Sequence, residues 1–146
     1  MTTIQLSEHI PAPPATVYDF VTRPARWKEW HPASLGTPGH GDQSLSAGAQ
    51  FEEDIRSAGF KRHLRWRVED SQPGKRWEAT AVMGDGSKVR LLYEFSDADG
   101  GTRFTRTLNY QIRPWLLRAA NDWLMWRKVR MESRKALANL ASKFAS

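Results

Sequence analysis

Between residues 49 and 112 the chain alternates apolar and polar positions in five runs parted by tight turns, and that alternation leaves few folds open. The runs are about Ala49 to Ser57, Phe60 to Glu69, Arg76 to Met83, Ser87 to Asp97 and Thr102 to Ile112. The turns are Ala58-Gly59, Pro73-Gly74, Gly84-Asp85-Gly86 and Asp99-Gly100-Gly101. A slip of one residue would move every side chain to the other face, so the hairpins check one another. Closing at Ala58-Gly59 sets Ile55 opposite Arg62 and Glu53 opposite Leu64. Closing at Gly84 to Gly86 sets Ala81 opposite Val89, Ala79 opposite Leu91 and Trp77 opposite Tyr93. Closing at Ala98 to Gly101 sets Phe95 opposite Phe104 and Tyr93 opposite Arg106. All three closures gather apolar positions on one face, which predicts an antiparallel sheet with a single apolar side.

The flanks supply the rest. Thr2 to Ile10 reads as a first strand, with Ile4, Leu6 and Ile10 on one side, stopped by Pro11, Pro13 and Pro14. Val17, Tyr18, Phe20 and Val21 form the apolar face of a short helix that Pro24 ends. Ala25 to His31 is expected to make a second helical turn carrying Trp27 and Trp30 on one side. Residues 33–50 read mainly as loop, with a short strand near Ser34 to Thr37. From Pro114 a helix is expected to run to about Phe144, roughly 45 Å long at 1.5 Å per residue. Its inner face would hold Trp126, Ser133, Leu137, Leu140 and Phe144, with Leu116, Ala120 and Trp123 leading in.

The segment from Ile10 to Pro32, IPAPPATVYDFVTRPARWKEWHP, together with this element order, resembles the START/Bet v 1-like superfamily of lipid carriers, polyketide cyclase-like proteins and related ligand binders. The likeness extends over essentially the whole chain, and the polyketide cyclase/dehydrase-like branch is nearest in layout and length. It implies an α+β helix-grip fold: a curved seven-stranded antiparallel sheet wrapped around a long C-terminal helix, with two short helices after the first strand. It also implies one ligand-binding domain over residues 1–146, with an internal cavity for a small hydrophobic or amphipathic ligand. Members include both enzymes and carriers of lipids or similar molecules, a quinone being one such cargo. The branch has no universal catalytic motif, so no catalytic residue is carried over and enzymatic activity stays open.

On the sheet's inner face, Glu53, Arg62, Arg106 and Glu8 interrupt the apolar pattern. A charge there is costly unless paired or wet, so these residues mark either structural ion pairs or a polar spot in a ligand cavity. Glu53 and Arg62 are diagonal neighbours and within reach of each other. Arg62, Arg106, Glu53 and Tyr93 are the candidates for orienting a ligand or moving a proton. Trp27, Trp30 and His31 are expected at the cavity mouth or as anchors of the short helix, and His31 is a candidate acid–base group or a plain cap. The remaining cavity candidates are Phe51, Leu64, Trp66, Trp77, Ala79, Ala81, Leu91, Leu108, Tyr110 and Trp123. Ala79 and Ala81 leave volume mid-strand, either for ligand or for close approach of the helix.

Other chemistries find little support. There is no cysteine, and His9, His31, His40 and His63 show no metal-ligand spacing, so neither a metal nor a cofactor is expected. No nucleophile elbow or phosphate-binding glycine loop is present. The N-terminus lacks the pattern of a signal peptide and no apolar run approaches the ~20 residues that span a bilayer, so a cytoplasmic location is expected. Net charge is +6, from 22 basic and 16 acidic residues. The basic C-terminal helix, with Arg113, Arg118, Arg127, Lys128, Arg130, Arg134, Lys135 and Lys143, raises an anionic membrane surface or a protein as an alternative partner. Nucleic acid is not an expected partner despite the basic outer sheet, because no nucleic-acid motif accompanies it. The oligomeric state is not legible.

Overall fold

The hairpins close in the registers that their turns dictate. The computed structural model describes residues 1–145. Its strands are β1 (Thr2–Ile10), β2 (Ser34–Gly36), β3 (Gln50–Ser57), β4 (Phe60–Gln72), β5 (Arg76–Met83), β6 (Lys88–Ala98) and β7 (Gly101–Gln111). They form one seven-stranded antiparallel sheet in the order β1-β7-β6-β5-β4-β3-β2. Glu53 lies opposite Leu64, Ala79 opposite Leu91, and Tyr93 opposite Arg106. Strand β4 runs past Glu69 to Gln72 because an irregularity between Val68 and Asp70 absorbs the change of register. At the β3–β4 turn Ala58 and Gly59 adopt φ of 51° and 87°, the left-handed pair that a two-residue hairpin requires. Glu132 holds that turn: its carboxylate accepts the Ala58 backbone N–H at 3.0 Å and the Ser57 hydroxyl at 2.5 Å.

Helix α1 (Pro14–Val21) starts at Pro14, where the missing N–H costs nothing, and buries Val17, Tyr18 and Val21. Pro24 then opens a short 3-10 turn, Pro24–Glu29, in place of the expected helical turn reaching His31. This turn drives Trp27 into the concave side of the sheet. The indole N–H donates to the Val21 carbonyl at 2.8 Å. Its ring meets Phe51, Trp66, Trp77 and Tyr93 at centroid distances of 5.5, 5.9, 6.0 and 6.5 Å, all edge-on. These contacts fill one end of the half-barrel with aromatic side chains from four successive strands.

The C-terminal helix is interrupted. Helix α2 (Trp115–Ala120) passes through a π-helical turn, Asn121–Met125, into α3 (Trp126–Phe144). The expected inner face holds from Ser133 onward, where Ser133, Leu137 and Leu140 are buried together with Ala136. Upstream the expectation fails: Leu116 and Trp123 are exposed, Trp123 by 82%, and Ala120 is also exposed. The extra residue in the π turn shifts the helix phase, so Asn121, Met125 and Val129 face the sheet instead. Buried Asn121 accepts from the Tyr110 hydroxyl at 2.6 Å and donates to the Thr2 hydroxyl at 2.9 Å, which secures the turn against β7 and β1.

If the Trp27 indole fills that end of the barrel, Trp27→Ala will cost about 3–5 kcal/mol in denaturant unfolding, whereas Trp123→Ala will stay within about 0.5 kcal/mol of the parent.

Candidate functional site

The half-barrel is solid at its Trp27 end and hollow at the other. The hollow end is a cavity of about 130 Å³ between the sheet, the 3-10 turn and the C-terminal helix. Exposed wall residues Phe60, Lys88 and Gln111 mark its mouth. Of the candidate residues, Trp27, Trp30, His31, Glu53, Arg62, Leu64, Trp66, Leu91, Tyr93, Arg106, Leu108 and Tyr110 border it. Phe51, Trp77, Ala79 and Ala81 do not: Phe51 stacks on Trp66 at 6.0 Å and Trp77 on Tyr93 at 5.3 Å, while the short side chains of Ala79 and Ala81 are buried on β5 between longer neighbours such as Val68, Trp66, Val89 and Leu91. Trp123 is on the outside, turned there by the π turn.

Arg106 is the wall's unusual member. It is 7% exposed, and the ion pairs of the described residues all lie elsewhere. One guanidinium nitrogen donates to the Ser133 hydroxyl at 3.0 Å, while Nε has no hydrogen-bond partner in the protein. Trp30 Nε1, a second buried donor, also lacks a partner, and Trp30 lines the same cavity. The Ser34 hydroxyl makes no well-formed bond either, although it lies close enough to Glu53 to favour that residue's charged form. Buried donors are nearly always satisfied, so these groups, all on residues of the cavity wall, are exceptions to that rule.

Glu53 sits in the same wall, 5% exposed, accepting the Trp66 indole N–H at 3.1 Å. Burial raises its pKa to about 7, against the opposing pull of Ser34, Trp66 and the Arg106 charge. The expected Glu53–Arg62 pair is not formed. Arg62 instead reaches Asp85 in the β5–β6 turn at 2.5 Å, close to solvent, where an ion pair loses less hydration. Glu8 stays half-buried on β1 and its carboxylate accepts the His9 backbone N–H. His31 Nδ1 accepts the Ala33 N–H at 3.1 Å in the turn that leads into β2, and the residue borders the cavity. Burial, and secondarily Arg106, hold its pKa well below the ordinary histidine value, so the ring is neutral at neutral pH. Burial likewise pushes the Tyr93 hydroxyl up, keeping it protonated.

Sequence reasoning passed over Ser34, Asn121, Met125, Val129 and Glu132, all of which line the cavity. Ser133 was placed on the inner face, and a serine in that apolar row was the one available signal of a polar contact. Among the described residues no cluster of histidines and carboxylates is arranged to hold a metal. What the wall offers is an apolar body with a cation and a carboxyl group whose pKa burial raises to about 7.

A family model described as polyketide cyclase / dehydrase and lipid transport matches residues 1–145. No curated protein matches by sequence. Among solved structures, TTHA0849 from Thermus thermophilus superposes with a TM-score of 0.77 at 18% identity, covering 98% of this chain and 97% of that one. Ara h 8.0201 gives 0.65 at 13% identity, covering 98% and 97%. DynU16, from the dynemicin biosynthetic locus, gives 0.66 at 18% identity, covering 96% of this chain and 46% of that one. At these identities the likeness shows the helix-grip fold.

The raised pKa of Glu53 has a definite sign in stability. Between its ordinary value of 4.5 and about 7 the folded state holds the extra proton, so stability falls as pH rises through that window. At 1.36 kcal/mol per unit the full effect is on the order of 3 kcal/mol. Glu53→Gln will therefore gain stability relative to the parent as pH increases, and the gain will vanish in acid. A difference that is flat with pH in denaturant titrations would contradict the assignment.

Proposed function

The chain belongs to the polyketide cyclase/dehydrase and lipid transport family, and we propose that it binds a small amphipathic molecule whose apolar body fills the cavity and whose anionic or carbonyl oxygen lies against Arg106. The observation that carries this reading is the Arg106 side chain, a buried cation in the cavity wall that lies outside every ion pair of the described residues. A buried cation outside any direct ion pair is costly to the fold, and an acceptor oxygen from a ligand relieves part of that cost. Glu53, partly protonated at neutral pH, repels an anion less than a fixed carboxylate would.

Volume narrows the ligand class. About 130 Å³ is close to the ~150 Å³ cavity that accepts benzene, and well under the roughly 300 Å³ of the smallest drug-sized pockets. The bound part is a single ring or a short chain, and anything longer leaves through the mouth beside Phe60 and Lys88. Cyclase- or dehydratase-like turnover is the second reading. It is favoured by Glu53, whose pKa of about 7 suits proton transfer at neutral pH.

Calorimetric titration with 3-phenylpropionate and its methyl ester tests the binding reading. The parent will prefer the acid, and Arg106→Met will abolish that preference, a loss of about 10- to 150-fold for a charge-assisted contact. The same variant will keep or gain thermal stability, because it removes an uncompensated buried charge. Equal affinity of parent and variant for the acid, or unfolding of the variant, would show that Arg106 serves the fold alone.

A further inference from the structure

The outer side of the C-terminal helix carries a surface that cavity binding does not use. Helix α2 buries none of its residues. Trp115 and Leu116 are 68% and 66% exposed, and Trp123 and Leu124 follow in the π turn at 82% and 47%. Trp123, Leu124, Ala120 and Lys128 form a shallow apolar groove together with Ala58 and Phe60 from the β3–β4 turn. Exposed apolar area of this kind, contiguous across two elements, marks an interaction surface.

The charges around it identify the partner. Residues 113–131 contain Arg113, Arg118, Arg127, Lys128 and Arg130 against Asp122 alone. All five cations are exposed, and none takes part in the ion pairs of the described residues. A second copy presenting the same patch would set these cations against each other. Tryptophan and leucine flanked by arginine and lysine instead match the two layers of an anionic bilayer surface, indole and aliphatic groups at the acyl boundary and cations at the head groups. No described helix is long and apolar enough to cross a membrane, so the contact is with the surface.

We propose that the α2–π-turn segment and the β3–β4 turn dock this protein on anionic lipid membranes. Phe60 and Met125 belong to both the docking groove and the cavity wall, so docking sets the cavity mouth against the bilayer. The proposal stands on the outer surface and does not depend on what the cavity holds.

Flotation with phosphatidylcholine vesicles, with and without phosphatidylglycerol, at low and high salt, decides it. The protein will float with the mixed vesicles at low salt, Trp emission will shift to the blue, and high salt will release it. The double variants Trp123→Ser/Leu124→Ser and Arg127→Glu/Lys128→Glu will each weaken binding at least about tenfold, with unchanged unfolding midpoints because every altered side chain is exposed. Failure to float with either vesicle would overturn the proposal, as would equal flotation with neutral vesicles or full retention by both variants. So would a dimer in light scattering that Trp123→Ser/Leu124→Ser dissociates, which would assign the patch to a second copy.

Discussion

The indole of Trp27 decides where this fold is solid and where it is hollow. A curved sheet gripping a single helix encloses more space than one helix can fill, so each end must be packed or left open. The 3-10 turn after Pro24 inserts Trp27 among Phe51, Trp66, Trp77 and Tyr93, and their edge-on packing supplies the dense core. With that end closed, the opposite end can stay open without loss of a core. The π turn at Asn121–Met125 works on the hollow side, bringing Asn121, Met125 and Val129 to the wall and turning Trp123 outward.

Electrostatics give the hollow end its character. Arg106 is held beside Tyr93, Glu53 and His31, and each adjusts to its charge and to burial in a different way. Glu53 rises toward neutrality because desolvation outweighs the attraction of the guanidinium, and His31 loses its proton because burial and the cation act together. The site therefore sets a permanent cation beside a carboxyl group that is only partly ionised at neutral pH, in an apolar wall. A fold optimised for stability alone would replace Arg106 with an apolar side chain of similar volume. Its presence is the feature on which the proposal of an oxygen-bearing ligand rests.

The architecture was largely legible because strand register is a local matter. Turns at Ala58-Gly59, Gly84 to Gly86 and Asp99 to Gly101 fix the hairpins, and pairings such as Tyr93 with Arg106 follow from counting residues. Knowing that a residue faces inward does not reveal whether it meets ligand or core. Phe51 and Trp77 are buried as expected, yet they pack on Trp27, and that depends on a 3-10 turn no propensity specified. Trp123 was misplaced because a regular 3.6-residue period was extended through a π turn, which leaves no simple trace in sequence. Arg62 chose Asp85 over Glu53 because the β5–β6 turn brings a carboxylate to the solvated mouth, a tertiary choice that strand pairing alone does not show.

The claim that the cavity houses an amphipathic ligand with its oxygen at Arg106 is tested most directly by native mass spectrometry of the freshly purified protein, with extraction and identification of what it carries. The account predicts a discrete added mass, released as a molecule with a compact apolar body and an acidic or carbonyl group, and missing from Arg106→Met. A clean unliganded mass, together with no thermal shift across a panel of small hydrophobic acids, would contradict it.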